Sequence, residues 1–220
     1  TAFDSDGFSL GNWTSTNGSG HTLASWNWKA NGAGSANTDG SITSTVSANT
    51  TSGFSIVKYT GTGANATVGH GLGAAPKMVI VRRISPGGEW YIHAGQLNDN
   101  EKVLVLNTTA ANANASTVFN NTAPTSSVFS LGTNGDANGN TYEHIAYCFA
   151  EKTGYSKFGS YVGNGTSGDG AFIYTGFKPA FVIYKNASAT YHWGMYDNKR
   201  NPSNETNNLL FPNLSNAENT

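Results

Sequence analysis

Short runs of alternating apolar and polar residues, separated by clusters of small polar residues, set the pattern of this chain. Phe54-Ser55-Ile56-Val57-Lys58-Tyr59 and Lys77-Met78-Val79-Ile80-Val81-Arg82 are rich in β-branched and aromatic side chains, the composition that suits a pleated, half-buried surface, whereas helical periodicity is nearly absent. Between such runs lie Thr16-Asn17-Gly18-Ser19-Gly20 and Asn134-Gly135-Asp136-Ala137-Asn138-Gly139-Asn140, which supply the positive-φ positions that hairpin turns require. Strand, turn and strand at this spacing predict an all-β chain, an antiparallel β-sandwich or jelly-roll-like fold. Two stretches low in bulky residues, 41–52 and 107–127, read as connectors or edge strands.

The pattern also repeats. Phe8-Ser9-Leu10-Gly11 recurs as Phe129-Ser130-Leu131-Gly132, and the same offset sets Ala24-Ser25-Trp26-Asn27-Trp28 over Ile145-Ala146-Tyr147-Cys148-Phe149. A second block sets Tyr59-Thr60-Gly61-Thr62-Gly63 over Tyr161-Val162-Gly163-Asn164-Gly165, Pro76 through Val81 over Pro179 through Tyr184, and Trp90 over Trp193. Pro76 and Pro179 would open their strands, where a missing N–H costs no ladder bond. The chain therefore reads as two tandem copies of one β unit, roughly 3–106 and 119–214. With no charged or Pro-rich linker around Glu151-Lys152-Thr153-Gly154, residues 1–220 form one continuous unit, which we expect to be a module or fragment of a longer polypeptide.

Composition narrows the functional classes. Charged residues are 11% of the 220, against ~25% in an average soluble domain. A net charge of −1 and the absence of a Lys/Arg stripe argue against a nucleic-acid partner. No apolar run approaches the ~20 residues of a membrane span, so membrane insertion is not expected. The single cysteine, Cys148, excludes an internal disulfide and lies in an apolar run that predicts a buried thiol.

No catalytic constellation emerges, and neither a metal nor a cofactor is expected. Asp4 and Asp6 form a D-x-D pair, but the acidic ligand that should close a calcium loop is missing. The histidines, His21, His70, His93, His144 and His192, share no metal-ligand spacing and read as turn or rim residues. No strand carries the alternating carboxylate pair of a glycosidase. Among the aromatics, Trp26, Trp28, Trp90 and Trp193 have aromatic counterparts in the repeat and read as packing residues. Trp13 has none and lies in the polar loop Asn12-Trp13-Thr14-Ser15. With Tyr91, His93 and His192 it forms the candidate ligand or receptor contact, since aromatic rings can stack on sugars.

Asp4 through Gly11, Trp26-Asn27-Trp28-Lys29, Gly69-His70-Gly71-Leu72-Gly73-Ala74-Ala75-Pro76-Lys77-Met78-Val79-Ile80-Val81, and Tyr184 through Pro212 with Lys199-Arg200-Asn201-Pro202 resemble repeated domains in large structural proteins of marine tailed bacteriophages, including those of cyanobacteria. The resemblance spans nearly the whole chain. It implies a virion β-sandwich, a fibre, tail or capsid-associated module on the particle surface that assembles with itself and with other virion proteins and contacts host glycans. It carries over no catalytic residue. A carbohydrate-binding module is the alternative expectation, and a polysaccharide-degrading enzyme a more distant one.

Overall fold

A computed structural model describes the chain except for Thr1, Ala94, Asn98, Asp99, Ser167 and Thr220, and for the side chain of Gln96. Its elements in chain order are β1 (Ala2–Phe3), β2 (Phe8–Ser9), α1 (Thr14–Asn17), β3 (Ser35–Asn37), β4 (Ser44–Asn49), β5 (Phe54–Thr60), β6 (Ala66–Gly69), β7 (Met78–Arg83), β8 (Tyr91–His93), β9 (Lys102–Val105), β10 (Ala113–Asn114), α2 (Ser116–Phe119), β11 (Val128–Leu131), α3 (Gly135–Asn138), β12 (Glu143–Phe149), β13 (Phe181–Lys185) and β14 (Trp193–Asp197). The fold is all-β. Among the described residues no helix is long and apolar enough to cross a membrane.

An eight-stranded antiparallel sheet, in the order β10-β9-β8-β7-β12-β5-β4-β3, forms the body of the molecule. Its centre is β12, whose seven residues pair with β5 from Glu143↔Thr60 to Phe149↔Phe54 and with β7 from His144↔Arg83 to Phe149↔Met78. Alternation along these strands explains their order. Val57 and Tyr59 of β5, Val79 and Val81 of β7, and Ala146 and Cys148 of β12 all turn to one face and are buried. That inner face is closed by Val68 of β6, by Phe129 and Leu131 of β11, and by Val118 and Phe119 of α2. The result is a sandwich-like pair of layers around one core.

The predicted strands over Phe54–Tyr59 and Lys77–Arg82 form as β5 and β7, with Pro76 and Pro179 two residues ahead of β7 and β13. Of the two stretches read as connectors or edge strands, 107–127 does supply the exposed edge strand β10, but both also reach the core. Residues 44–49 form β4 and bury Ser44 and Val46, and α2 contributes two core residues from within 107–127. Bulky residues are sparse in both stretches, and the few present, Val46 in one and Val118 with Phe119 in the other, carry the burial. The aromatic strand expected over Ala24–Trp28 is absent as well. Its β-forming composition has no neighbouring backbone to pair with.

The outer face is also apolar, and the chain termini cover it. Ile92 of β8 and Leu104 of β9 pack with Trp193 of β14, flanked by Met78, Ile80 and Ala187. The Trp193 indole N–H donates to the Val105 carbonyl at 2.9 Å, and Asn112 donates from its backbone N–H and its side chain to the Ala187 carbonyl at 2.9 and 2.7 Å. From the other terminus Trp28 lies edge-on to Phe149 at 6.0 Å and against Phe54 at 6.4 Å. Trp90 stacks on Tyr147. Trp26 lies against Phe181 at 5.8 Å, and the packing role read for Trp26, Trp28, Trp90 and Trp193 accords with these contacts, although Trp28 stays 42% exposed.

Candidate functional site

The four residues singled out from the sequence do not converge. Tyr91 and His93 share the inner face of β8, where Tyr91 packs on the core and its hydroxyl meets the Asn134 side-chain amide at 3.5 Å. His93 is fully buried and edge-on to Phe119, so it cannot touch an external ligand. The period-2 geometry of a strand that begins beside Trp90 turns it inward. His192 is exposed, with its ring against Phe211 and Nδ1 at 3.1 Å from the Asn213 amide. Only Trp13 presents a large free ring, 70% exposed at the N-cap of α1.

Three of the histidines read as turn or rim residues are interior. His70 and His144 are, like His93, fully buried, and burial lowers the pKa of all three, His93 to about 4. They serve as turn fasteners. His144 accepts the Gly139 N–H at Nε2 and faces the Tyr142 carbonyl through Nδ1, while His70 accepts the Leu72 N–H and faces the Thr125 carbonyl. Buried Asn138 acts similarly, donating to the Ala64 and Gly132 carbonyls and accepting the Thr62 N–H.

Cys148 is buried beside Ser55, its strand partner, and burial pushes its thiol up to about 12. The thiolate is the reactive form, so we expect thiol reagents to leave the native protein unlabelled at pH 8 and to modify it within minutes in denaturant. Rapid native labelling followed by mass spectrometry would contradict that placement.

The surface departs from an ordinary domain at its terminal segments. Phe3, Trp13, Val162, Phe172 and Tyr174 are each at least 70% exposed, and Leu23, Tyr161, Val182, Ile183, Tyr184 and Tyr191 of the same terminal segments are exposed as well. Isolated apolar residues on a surface are unremarkable, but a concentration of this kind marks a contact surface. A depression of about 330 Å³ opens beside β13, lined in part by Tyr184, Tyr196, Pro179 and Pro202. Below it Asp197 accepts Arg200 at 2.7 Å, and Arg200 also pairs with Glu218, which pins the C-terminal loop.

These segments share local geometry with the body of the molecule. Asn17 at the end of α1 donates to the Gly11 carbonyl at 2.8 Å, and Asn138 at the end of α3 donates to that of Gly132 at 2.8 Å. The β13–β14 hairpin pairs Ile183 with Met195 and Tyr184 with Gly194, the register in which β7–β8 pairs Ile80 with Ile92 and Val81 with Tyr91. Gly53, Gly63 and Gly73 have positive φ, as do Gly154, Gly165 and Gly176. Exposure is what differs. Phe129 is 1% exposed and Phe8 40%, Tyr59 3% and Tyr161 58%, Val79 0% and Val182 43%.

Fold and surface together define an all-β, sandwich-like domain whose terminal segments carry apolar side chains outward. The whole chain, residues 1–220, matches a family described as a domain of unknown function, DUF7483, and it belongs to that family. No curated protein and no solved structure matches it.

Proposed function

We propose that this chain is a structural module of a bacteriophage particle, a surface, fibre or tail-appendage domain that assembles with further copies and with other virion proteins. It is built from two tandem copies of one β unit and works by binding, not by catalysis. The observation that carries this reading is the outward apolar surface of the terminal segments. Phe3, Val162, Phe172 and Tyr174 stand almost free of the body, and exposure on this scale calls for a protein partner. The low charge supports it, since 11% charged residues and a net charge of −1 give little repulsion between copies.

Trp13 favours a second role on the same particle. Its indole is a free, flat apolar face of the kind that stacks on sugar rings, which suits attachment to a host glycan. A Trp13→Ala change should then abolish signal on a glycan array while leaving assembly intact.

The primary reading is tested by light scattering of the purified chain from 1 to about 100 μM, with mass spectrometry of the source particle. We expect mass to rise with concentration and peptides of this chain to be present in particles. A monodisperse monomer absent from particles would overturn the proposal.

A further inference from the structure

We infer that Asn31-Gly32 is a site of spontaneous covalent modification, at which the folded chain converts its own asparagine to aspartate and isoaspartate through a cyclic imide. The inference goes beyond the assembly reading and needs neither a partner nor a ligand.

Asparagine is among the thermolabile residues, and the reaction sets clear conditions. The main-chain nitrogen of the following residue attacks the side-chain Cγ, so that residue must leave room, as glycine does. A bond forms from this nitrogen to Cγ, the bond from Cγ to Nδ2 breaks, and ammonia leaves with the proton of the main-chain N–H. Water then opens the imide at one carbonyl to give aspartate or at the other to give isoaspartate. Neither an oxidant nor an enzyme is required. A hydrogen bond that engages the side-chain amide or the glycine N–H holds the reacting atoms apart.

Asn-Gly occurs at 17–18, 31–32, 134–135, 138–139 and 164–165, equal candidates by sequence that the structure separates. Asn138 is fully buried, bonded to the Ala64 and Gly132 carbonyls and the Thr62 N–H, and Gly139 gives its N–H to His144. Asn134 caps α3 by accepting the Asp136 and Ala137 N–H groups. The Asn17 amide donates to the Gly11 carbonyl at 2.8 Å, and that of Asn164 donates to the Asp169 carbonyl at 2.6 Å while its oxygen accepts the Thr166 N–H. Asn31 differs. It is exposed, and among the described residues neither its side-chain amide nor the Gly32 N–H has a hydrogen-bond partner.

Ser47 of β4 fixes this dipeptide without protecting it. Its hydroxyl accepts the Asn31 N–H at 2.9 Å and donates to the Gly32 carbonyl at 2.8 Å, and neither of those two groups reacts. Gly32 has a φ of +67°, and nothing lies within 4 Å of the place a Cβ would take, so water has access. An isoaspartyl residue would add one main-chain carbon between the two bonds of Ser47, which with the bond from Asn49 to the Lys29 carbonyl tie residues 29–32 to β4. Either product adds a carboxylate to a sparsely charged surface.

Peptide mapping by mass spectrometry tests this on the full-length chain held in mildly alkaline buffer and sampled over days, with isoaspartate counted by methyltransferase labelling. We expect Asn31 to convert first, at least about tenfold ahead of Asn134 and Asn138, whose reaction waits on local opening. Conversion should quicken as pH rises, because the deprotonated main-chain nitrogen is the nucleophile. In guanidinium chloride, where the fold no longer separates the Asn-Gly pairs, the lead should vanish. Asn31→Gln, whose imide would need a larger ring, should lose the early release of ammonia. Another pair leading in the native chain, an undiminished lead in guanidinium, or unchanged ammonia release from Asn31→Gln would each overturn the inference. So would an intact Asn31 in native protein over a period in which the unfolded chain reacts.

Discussion

Replacing Phe129 with Ala should lower the stability of the chain by about 3–5 kcal/mol, the usual cost of deleting a buried aromatic ring and leaving a cavity. Phe129 is 1% exposed, edge-on to Tyr59 at 6.2 Å, and part of the layer that seals the inner face of the eight-stranded sheet. The matched change Phe8→Ala should cost only about 0.5 kcal/mol in the isolated chain, as surface substitutions do, because Phe8 is 40% exposed. Urea denaturation at micromolar concentration separates the two. Equal losses would mean that Phe8 is already buried in the single molecule. Phe8→Ala should instead weaken the proposed assembly at high concentration, a second readout that the core variant does not mimic.

Stability should fall steeply as pH drops from about 6.5 toward 4. The sign follows from the direction of the shifts. His93 titrates at about 4 when folded, because burial penalises its charged form, and near 6.5 when unfolded. Above pH 6.5 it is neutral in both states and contributes nothing. Between the two values the unfolded chain takes up a proton that the folded chain refuses, so unfolding becomes easier by up to 1.36 kcal/mol per pH unit. Below about pH 4 both states are protonated and the loss levels off near 3 kcal/mol for this residue, by the same relation. Burial lowers His70 and His144 as well, and they add to the loss with the same sign. Urea midpoints at pH 7, 6 and 5 measure it. A flat profile would place these imidazoles in contact with water. In a His93→Leu variant the slope should shrink by the share of one histidine.

This acid sensitivity was not legible from the sequence. His93 follows Trp90 and Tyr91 in a run that looks like a surface strand, and nothing local says which face turns inward. The answer depends on α2, whose Phe119 meets His93 from across the inner layer. α2 arises in a stretch of Ala, Asn and Thr with no helical periodicity. Its four residues are held by hydrogen bonds from Val118 and Phe119 to the Ala115 carbonyl, and by Ala115 to Glu101. The bond to Glu101 and the ring contact with His93 join residues far apart in the chain.

Local chemistry was readable where it is self-sufficient. β-branched runs announced β5 and β7, the aromatic run Ile145–Phe149 announced β12, and the apolar neighbours of Cys148 announced its burial, whereas the clusters at 16–20 and 134–140, read as positive-φ hairpin turns, fold in large part as the short helices α1 and α3. The correspondences Phe8 with Phe129 and Tyr59 with Tyr161 were visible in the same way. What they could not indicate is that Phe129 lies in a closed core and Phe8 does not, since identical residues in a like local frame are buried only where a partner strand is supplied. By itself the sequence determined the β character and the repeated pattern, because these depend on side-chain branching and the alternation of neighbours. Only the tertiary structure decided which segments pair and which faces close, because pairing satisfies backbone groups far apart along the chain.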